Sequence, residues 1–215
     1  MKSLKTLASI GACLLIVGCK TTIETEVTVS DLLSSPTKQI AGALVVEVPA
    51  CQDYQDSRKP SNTLIEVQKM VPTIFKDATF AECYRQQFNS FARFDLPLVL
   101  DKDKDGKLAS EEHINILSNE SEMLAVAVPA QIKAGLEDAA KRGPGSALNM
   151  RMKIKVVNDT GADVSFNVVS AFVDDEPYVF GSLISKADQS FTVTLSDVSV
   201  QSAVNGDAMV LRWRK

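Results

Sequence analysis

The sequence predicts an α+β protein: an N-terminal β-β-α-β-β-α unit followed by a small antiparallel, sandwich-like β region. Three observations carry this expectation. Apolar and polar residues alternate with period two in several stretches, the pattern of half-buried strands. Two or three segments carry apolar residues at helical spacing behind capping or proline signals. The character of the chain then changes at Arg142-Gly143-Pro144-Gly145-Ser146, beyond which strand patterns dominate. The expected organisation is a leader over 1–18, an α+β region over 19–142 and a β region over 147–215.

Ile23, Thr25, Val27 and Val29 alternate with Glu24, Glu26 and Thr28 and predict the first strand. Residues 30–38 read as a turn, broken by Ser34-Ser35-Pro36. Leu44, Val46 and Val48 predict a second strand ended by Pro49. After a polar loop, Ser61 or Asn62 caps a helix that runs to about Met70 and is closed by Pro72. A second helix is expected over residues 78–88, and it would contain Cys83. Ala92, Phe94, Leu96, Leu98 and Leu100 alternate with Arg93 and Asp95, and Pro97 points to an edge or bulged strand. Met123 to Val128 predicts another strand. Pro129 then precedes a helix over 131–141 with Ile132, Leu136 and Ala139 or Ala140 inward.

Beyond the linker, Met150, Met152, Ile154 and Val156 alternate with Arg151, Lys153 and Lys155. Asn158-Asp159-Thr160-Gly161 is a turn signal. Val164, Phe166 and Val168 resume the alternation. Further strands are expected at Tyr178–Phe180, Phe191–Leu195 and Met209–Trp213. Five or six short strands spaced by turns suggest the sandwich. The basic residues opposite the core face fit a solvated face better than an anion site.

The N-terminus has an address of its own. Lys2 and Lys5 precede an apolar run too short to cross a bilayer, which needs about 20 residues. The run ends in Ile16-Val17-Gly18-Cys19, which resembles the lipobox of bacterial lipoproteins. That resemblance implies cleavage before Cys19, a diacylglycerol on its thiol and an acylated amino terminus. It implies a membrane partner reached through the lipid on Cys19. Lys20, in place of the aspartate that retains such proteins at the inner membrane, implies the outer membrane, facing periplasm or cell surface.

Removing residues 1–18 leaves 197 residues with 21 basic and 27 acidic side chains, a net charge of −6. Such a chain has no general attraction for nucleic acid or an anionic surface. Under the lipoprotein reading Cys13 is discarded and Cys19 acylated, which leaves Cys51 and Cys83 in an oxidising compartment. A disulfide between them is expected, with two buried free thiols as the alternative. Two cysteines and one distant histidine do not fill a zinc site, and no C-x-x-C suggests redox work.

Asp101-Lys102-Asp103-Lys104-Asp105-Gly106-Lys107-Leu108-Ala109-Ser110-Glu111-Glu112 resembles an EF-hand calcium loop. Asp101, Asp103 and Asp105 stand at positions one, three and five, and Gly106 at six. The Lys107 carbonyl stands at seven and Glu112 at twelve. The resemblance implies calcium held weakly in a structural role. A strand precedes the loop where an EF-hand has its entering helix, only residues 110–117 could form an exit helix, and no second loop exists to pair with it. A charged, glycine-turned connection without an ion is the alternative.

Other chemistry has little support. His113 is the single histidine, so any histidine-based catalysis would need it beside Glu111 and Glu112. G-x-S-x-G, H-E-x-x-H and phosphate-binding glycine loops do not occur. The expected function is a lipid-anchored, non-enzymatic binding or structural module with an envelope protein partner. The alternatives are an envelope hydrolase using carboxylates and a bound cation, and a surface-exclusion or host-interaction factor.

Overall fold

Period-two patterning decides which side of a strand is buried. Here most buried sides turn toward one interior, while the strands Asn115–Ser118 and Glu122–Ala127 are buried on both faces, with Leu117, Ala125 and Ala127 in a small cluster of their own. The computed structural model describes residues 20–34, 37–102, 107–142 and 150–214. In chain order the elements are β1 (Thr21–Thr28), α1 (Val29–Ser34), β2 (Lys38–Val48), α2 (Asn62–Ile74), β3 (Thr79–Gln86) and β4 (Asn89–Lys102). They continue with β5 (Asn115–Ser118), β6 (Glu122–Ala127), α3 (Ala130–Arg142), β7 (Met150–Val157) and β8 (Val164–Val173). The last are β9 (Glu176–Ser185), β10 (Ser190–Leu195), α4 (Asp197–Asn205) and β11 (Ala208–Trp213).

The strands form a closed nine-strand barrel in the order β10-β7-β1-β2-β4-β5-β6-β11-β8, with β8 returning to β10. This corrects the α+β expectation of a β-β-α-β-β-α unit followed by a sandwich. Strands from both sides of residues 143–149 close one ring, joined at two seams: β1 pairs in parallel with β7, and β6 pairs with β11. Periodicity reports which face is buried and is silent about which strand is the neighbour. The interior is filled by side chains such as Ile23, Leu44, Phe94, Leu98, Ile116 and Phe166, each 1 % exposed or less. Phe166 stacks on Phe191 with ring centroids 4.8 Å apart. Burial of side chains of this kind contributes about 1.5–3 kcal/mol each.

Two irregularities shape the ring. The first is β4, whose edge away from β2 is shared by two partners: β3 along residues 89–95 and β5 along residues 99–102. Pro97 lies between them. The Val99 N–H points to that edge, donating to the Ile114 carbonyl at 3.0 Å. Alternation puts the position of the missing Pro97 N–H on the same edge, in the gap where no partner stands. An internal strand therefore tolerates the proline that predicted an edge or bulge.

The second is β8. Seven of the nine pairings in the ring are antiparallel and two are parallel. An odd number of reversals cannot bring a straight strand back to its own direction. β8 resolves this by bending at Ser170, where φ is 47°. Residues 166–168 pair with β11 and residues 171–173 with β10, while β9 follows β8 on its other edge. The left-handed backbone at a non-glycine residue is held by α4: Ser199 Oγ donates to the Ser170 carbonyl at 2.6 Å, and the Ser170 and Ser196 hydroxyls lie 3.0 Å apart.

The helices occupy the ends and flank of the barrel. α1 touches β1, β5 and β6 at one end, and α4 touches β6, β7, β8, β10 and β11 at the other. Ser196 caps α4 by accepting from the Ser199 N–H at 3.2 Å. The Val-Ser-Val alternation at 198–200 masks this helix in the sequence, where no element was expected. α2 and α3 pack on each other, with Gly135 against Ile74. α2 runs past Pro72 to Ile74 because buried Val71 and Phe75 hold its last turn, with the Phe75 N–H on the Val71 carbonyl at 2.9 Å. The helix expected over 78–88 is instead β3 and a tight turn. Pairing with the long β4 overrides the local pattern, and Gln87 supplies the positive φ (55°) that a two-residue hairpin loop requires.

Gly42 marks the tightest place in the wall. A Cβ there would stand 2.1 Å from Leu98 Cδ1, 2.9 Å from the Glu24 carbonyl oxygen and 3.0 Å from that of Leu96. Leu98 could rotate away, but the two carbonyls belong to β1 and β4 and fix the strand spacing. Gly42→Ala is expected to destabilise the fold by about 2–3 kcal/mol through overpacking. A lower urea midpoint at unchanged m-value would show it; an unchanged midpoint would mean that the wall gives way locally.

Candidate functional site

The residues that sequence chemistry singles out fall in three places. Cys19 lies outside the described residues, as do Asp103 and Asp105. Cys51 and Cys83 are brought together, with sulfurs 2.02 Å apart and Cα atoms 5.7 Å apart. The bridge ties the loop after β2 to β3, so Cys83 sits on a strand rather than the expected helix. The described ends of the Asp101–Glu112 loop, with His113, make up the third place.

This third place forms where β4 exchanges β3 for β5. Asp101, 9 % exposed at the end of β4, accepts a hydrogen bond from the Thr37 hydroxyl. Lys107 is exposed. Glu112 is ion-paired with Lys76 in the turn after α2, and that carboxylate beside it holds the Lys76 ammonium above the ordinary lysine range. No exit helix follows: residues 107–114 are irregular and lead directly into β5. Among the described residues no group of three or more His, Cys, Asp or Glu side chains is placed to hold a metal ion. Two of the five expected calcium ligands are not among those residues.

His113 is mostly buried. Its Nδ1 is 3.0 Å from Ser110 Oγ, and its Nε2 is 3.3 Å from Asp77 Oδ2, within ion-pair reach but without hydrogen-bond alignment. The Ser–His–Asp order invites a catalytic reading, yet the hydroxyl is already committed. Ser110 Oγ accepts from the backbone N–H groups of Glu112 (3.2 Å) and His113 (3.0 Å), as a turn-capping serine does. The network fastens the loop to the turn at Lys76-Asp77.

Asn115 completes that fastening and had no counterpart in the sequence reading. Its side chain is fully buried. Nδ2 donates to the carbonyls of Ser110 and His113 at 2.8 Å each, and Oδ1 accepts from the Ser110 N–H at 3.1 Å. Asn115→Ala would strand these groups and is expected to cost about 2–3 kcal/mol. Amide exchange at residues 110–113 should accelerate more than exchange in β1; equal acceleration throughout would refute a local fastening role.

Outside the barrel, a shallow groove of ≈ 570 Å³ crosses β10, β7, β1, β2 and β4. Its floor is Ala41, Gly42 and Ala43. Glu24 and Glu26 lie directly across from Lys153 and Lys155 in the β1–β7 register, and Lys155 meets Glu26 at 2.8 Å. Lys155 is thus paired and Lys153 faces an acid across the strands, the arrangement of a solvated face.

No helix among the described residues is long and apolar enough to cross a membrane. Comparison with curated proteins and with solved structures gave no match. A family described as a domain of unknown function, DUF7424, matches residues 21–214, which takes in every strand and helix of the fold, and the chain belongs to that family.

Proposed function

We propose that the chain is a lipid-anchored protein of the bacterial cell envelope, acylated on Cys19 and directed to the outer membrane. Its barrel serves as a non-enzymatic binding or structural module for an envelope protein partner. The observation that carries this reading is Ile16-Val17-Gly18-Cys19 set immediately before the first strand: β1 begins at Thr21 with Lys20 alone between. The family match, beginning at residue 21, fits a domain that starts where the leader ends. The paired Cys51 and Cys83 fit an oxidising compartment. The open groove with paired charges and the committed Ser110 hydroxyl favour a module over a hydrolase. Mass spectrometry of protein extracted from envelope membranes should find a terminal peptide that begins at an acylated Cys19. An unmodified Cys19 on the mature protein would remove the anchor.

Calcium at the Asp101–Glu112 loop belongs to the same proposal as a structural ion. Binding would draw Glu112 away from Lys76 and Asp101 partly from Thr37, so the affinity should be weak, about 10⁻⁴–10⁻³ M as in extracellular modules. Titration calorimetry with calcium should give heats that vanish in an Asp101→Ala, Glu112→Ala variant. Indistinguishable heats would leave the loop a charged connection.

A further inference from the structure

The strand registers identify one end of the barrel as the end at which the chain enters. Thr21 pairs with Val46 and Met150, and Ser90 pairs with Val48. The starts of β1, β4 and β7, the end of β2 and the Leu195 end of β10 therefore lie at this end, together with α4. Four of the five most exposed large apolar side chains among the described residues gather here. Tyr54 (99 % exposed) is in the loop after β2, which the Cys51–Cys83 bridge fastens to β3. Phe88 (91 %) is the tip of the β3–β4 hairpin, and Val198 (69 %) is in the first turn of α4. Val179 (89 %) lies on β9 opposite the bend of β8 at Ser170, next to the pairing of Ala171 with Leu195.

The opposite end differs. Its connections are Asn119-Glu120-Ser121, Asn158-Asp159-Thr160-Gly161 and Ala187-Asp188-Gln189. Among the described residues, Leu33 (48 %) and Ile184 (56 %) are each about half covered there, and Phe180 lies against Trp213 and Arg212 on the wall leading to it. Scattered exposed apolar side chains are ordinary. Four concentrated at one end, two of them aromatic at hairpin and loop tips, make a surface that something covers.

We propose that this end of the barrel docks on a lipid surface, with Tyr54, Phe88, Val179 and Val198 seated in the bilayer interface. The proposal rests on the anchor at Cys19. The position of the leader selects lipid as the occupant. Thr21 lies at this end, and two peptide steps separate Cys19 from it in the sequence, about 7 Å of extended chain. A membrane holding an acyl chain on Cys19 therefore lies within reach of these side chains. Amphipathic helices seat their apolar faces about 5–10 Å into the same boundary. Tyrosine, with an apolar ring and a polar tip, suits that depth. Charge does not demand an anionic lipid, since Arg58 and Lys59 near Tyr54 are both paired with Asp56. A zwitterionic surface is sufficient.

Trp213, the single tryptophan, reports on the far end, where its Nε1 donates to the Asn119 carbonyl at 3.0 Å. The test places the full chain, produced with its leader and purified from membranes, in phosphatidylcholine vesicles with brominated acyl chains. Three proteins are compared: the natural chain, Phe88→Trp with Trp213→Phe, and Tyr54→Trp with Trp213→Phe. Positions 54 and 88 are exposed, so either reporter leaves the core intact. The expected result is loss of emission for the indoles at positions 54 and 88 and retained emission for Trp213. Unquenched emission at both positions on protein whose Cys19 is shown by mass to be acylated overturns the docking and leaves the anchor standing. A blue shift without quenching also overturns it, because a protein surface then covers this end. If Cys19 proves unmodified the anchor fails by itself; quenching at 54 and 88 on added vesicles would then uphold the docking surface, and its absence would overturn it.

Discussion

Replacing Cys51 and Cys83 together by serine should lower the stability of the fold by about 3.5–4 kcal/mol, the chain-entropy value for a closed loop of this length. The two residues are 32 positions apart, and the segment between them contains the 51–60 loop, α2 and the start of β3. Without the bridge, that segment is held to the barrel by the buried face of α2, Leu64, Val67 and Val71, and by the β3–β4 pairing. β3 is an edge strand with most of its side chains exposed, so it adds little burial of its own. For a domain of this size the loss should appear as a fall in melting temperature of about 7–15 °C. The check is thermal unfolding of the double variant beside the natural protein in oxidising buffer. A fall of less than about 2 °C would mean that α2 and β3 are fixed by packing alone, contrary to the loop-entropy account.

That bridge illustrates what can be read from such a chain. Counting cysteines against an expected leader, which would discard one and acylate another, leaves a pair, and Cys51 and Cys83 meet. Most strands were also legible, because alternation such as Ile23-Thr25-Val27 or Met150-Met152-Ile154 is a local property of half-buried strands; β3 and the short, fully buried β5 were not. Their neighbours were not. Nothing within β1 states that Met150 to Val157 will lie beside it in parallel, since the pairing is made by two surfaces distant in sequence. The barrel was therefore missed and a two-part α+β layout expected. Two helical readings failed in opposite directions: residues 78–88 were captured by the free edge of β4, and α4 was concealed behind a strand-like Val-Ser-Val pattern. The loop at Asp101–Glu112 was visible for its carboxylates, whereas Asn115, which fastens its far side, carries no motif. A buried asparagine becomes significant only once its backbone partners are in place.

The two parallel pairings, β1–β7 and β4–β5, bear on how the module could be presented. Each joins segments far apart in the chain or through an irregular connection, so the barrel can close only when its N-terminal strand is already in place between β2 and β7. Long-range pairings of this kind are slow to form. A leader that delivers the chain unfolded across a membrane would let β1 wait for β7 without penalty.

The other end depends on Asn158, and its replacement by alanine should cost about 3 kcal/mol, at the upper range for stranding buried polar groups. The side chain is fully buried where the β7–β8 turn meets the β9–β10 turn. Nδ2 donates to the carbonyls of Ala162 (2.8 Å), Lys186 (3.0 Å) and Ser185 (3.1 Å), two hydrogens serving three acceptors. Oδ1 accepts from the Thr160 hydroxyl at 2.8 Å. The backbone adds two more ties, Asn158 N–H to the Gln189 carbonyl at 2.8 Å and the Asp188 N–H to the Asn158 carbonyl at 2.9 Å. Asn158→Ala removes the side-chain bonds, keeps the backbone ties and should reduce the melting temperature by about 6–12 °C. Asn158→Asp is the sharper test because its shape is the same. It turns a carboxylate oxygen toward three carbonyls, so the charged form is disfavoured in the folded state and its native pKa is raised above the unfolded value. A raised carboxyl pKa places the penalty above that pKa and relieves it as the pH falls through it. The deficit of Asn158→Asp against the natural protein should therefore exceed that of Asn158→Ala at neutral pH and shrink in acid. A deficit that is small at neutral pH, or that grows on acidification, would show that the two turns are not joined through this amide.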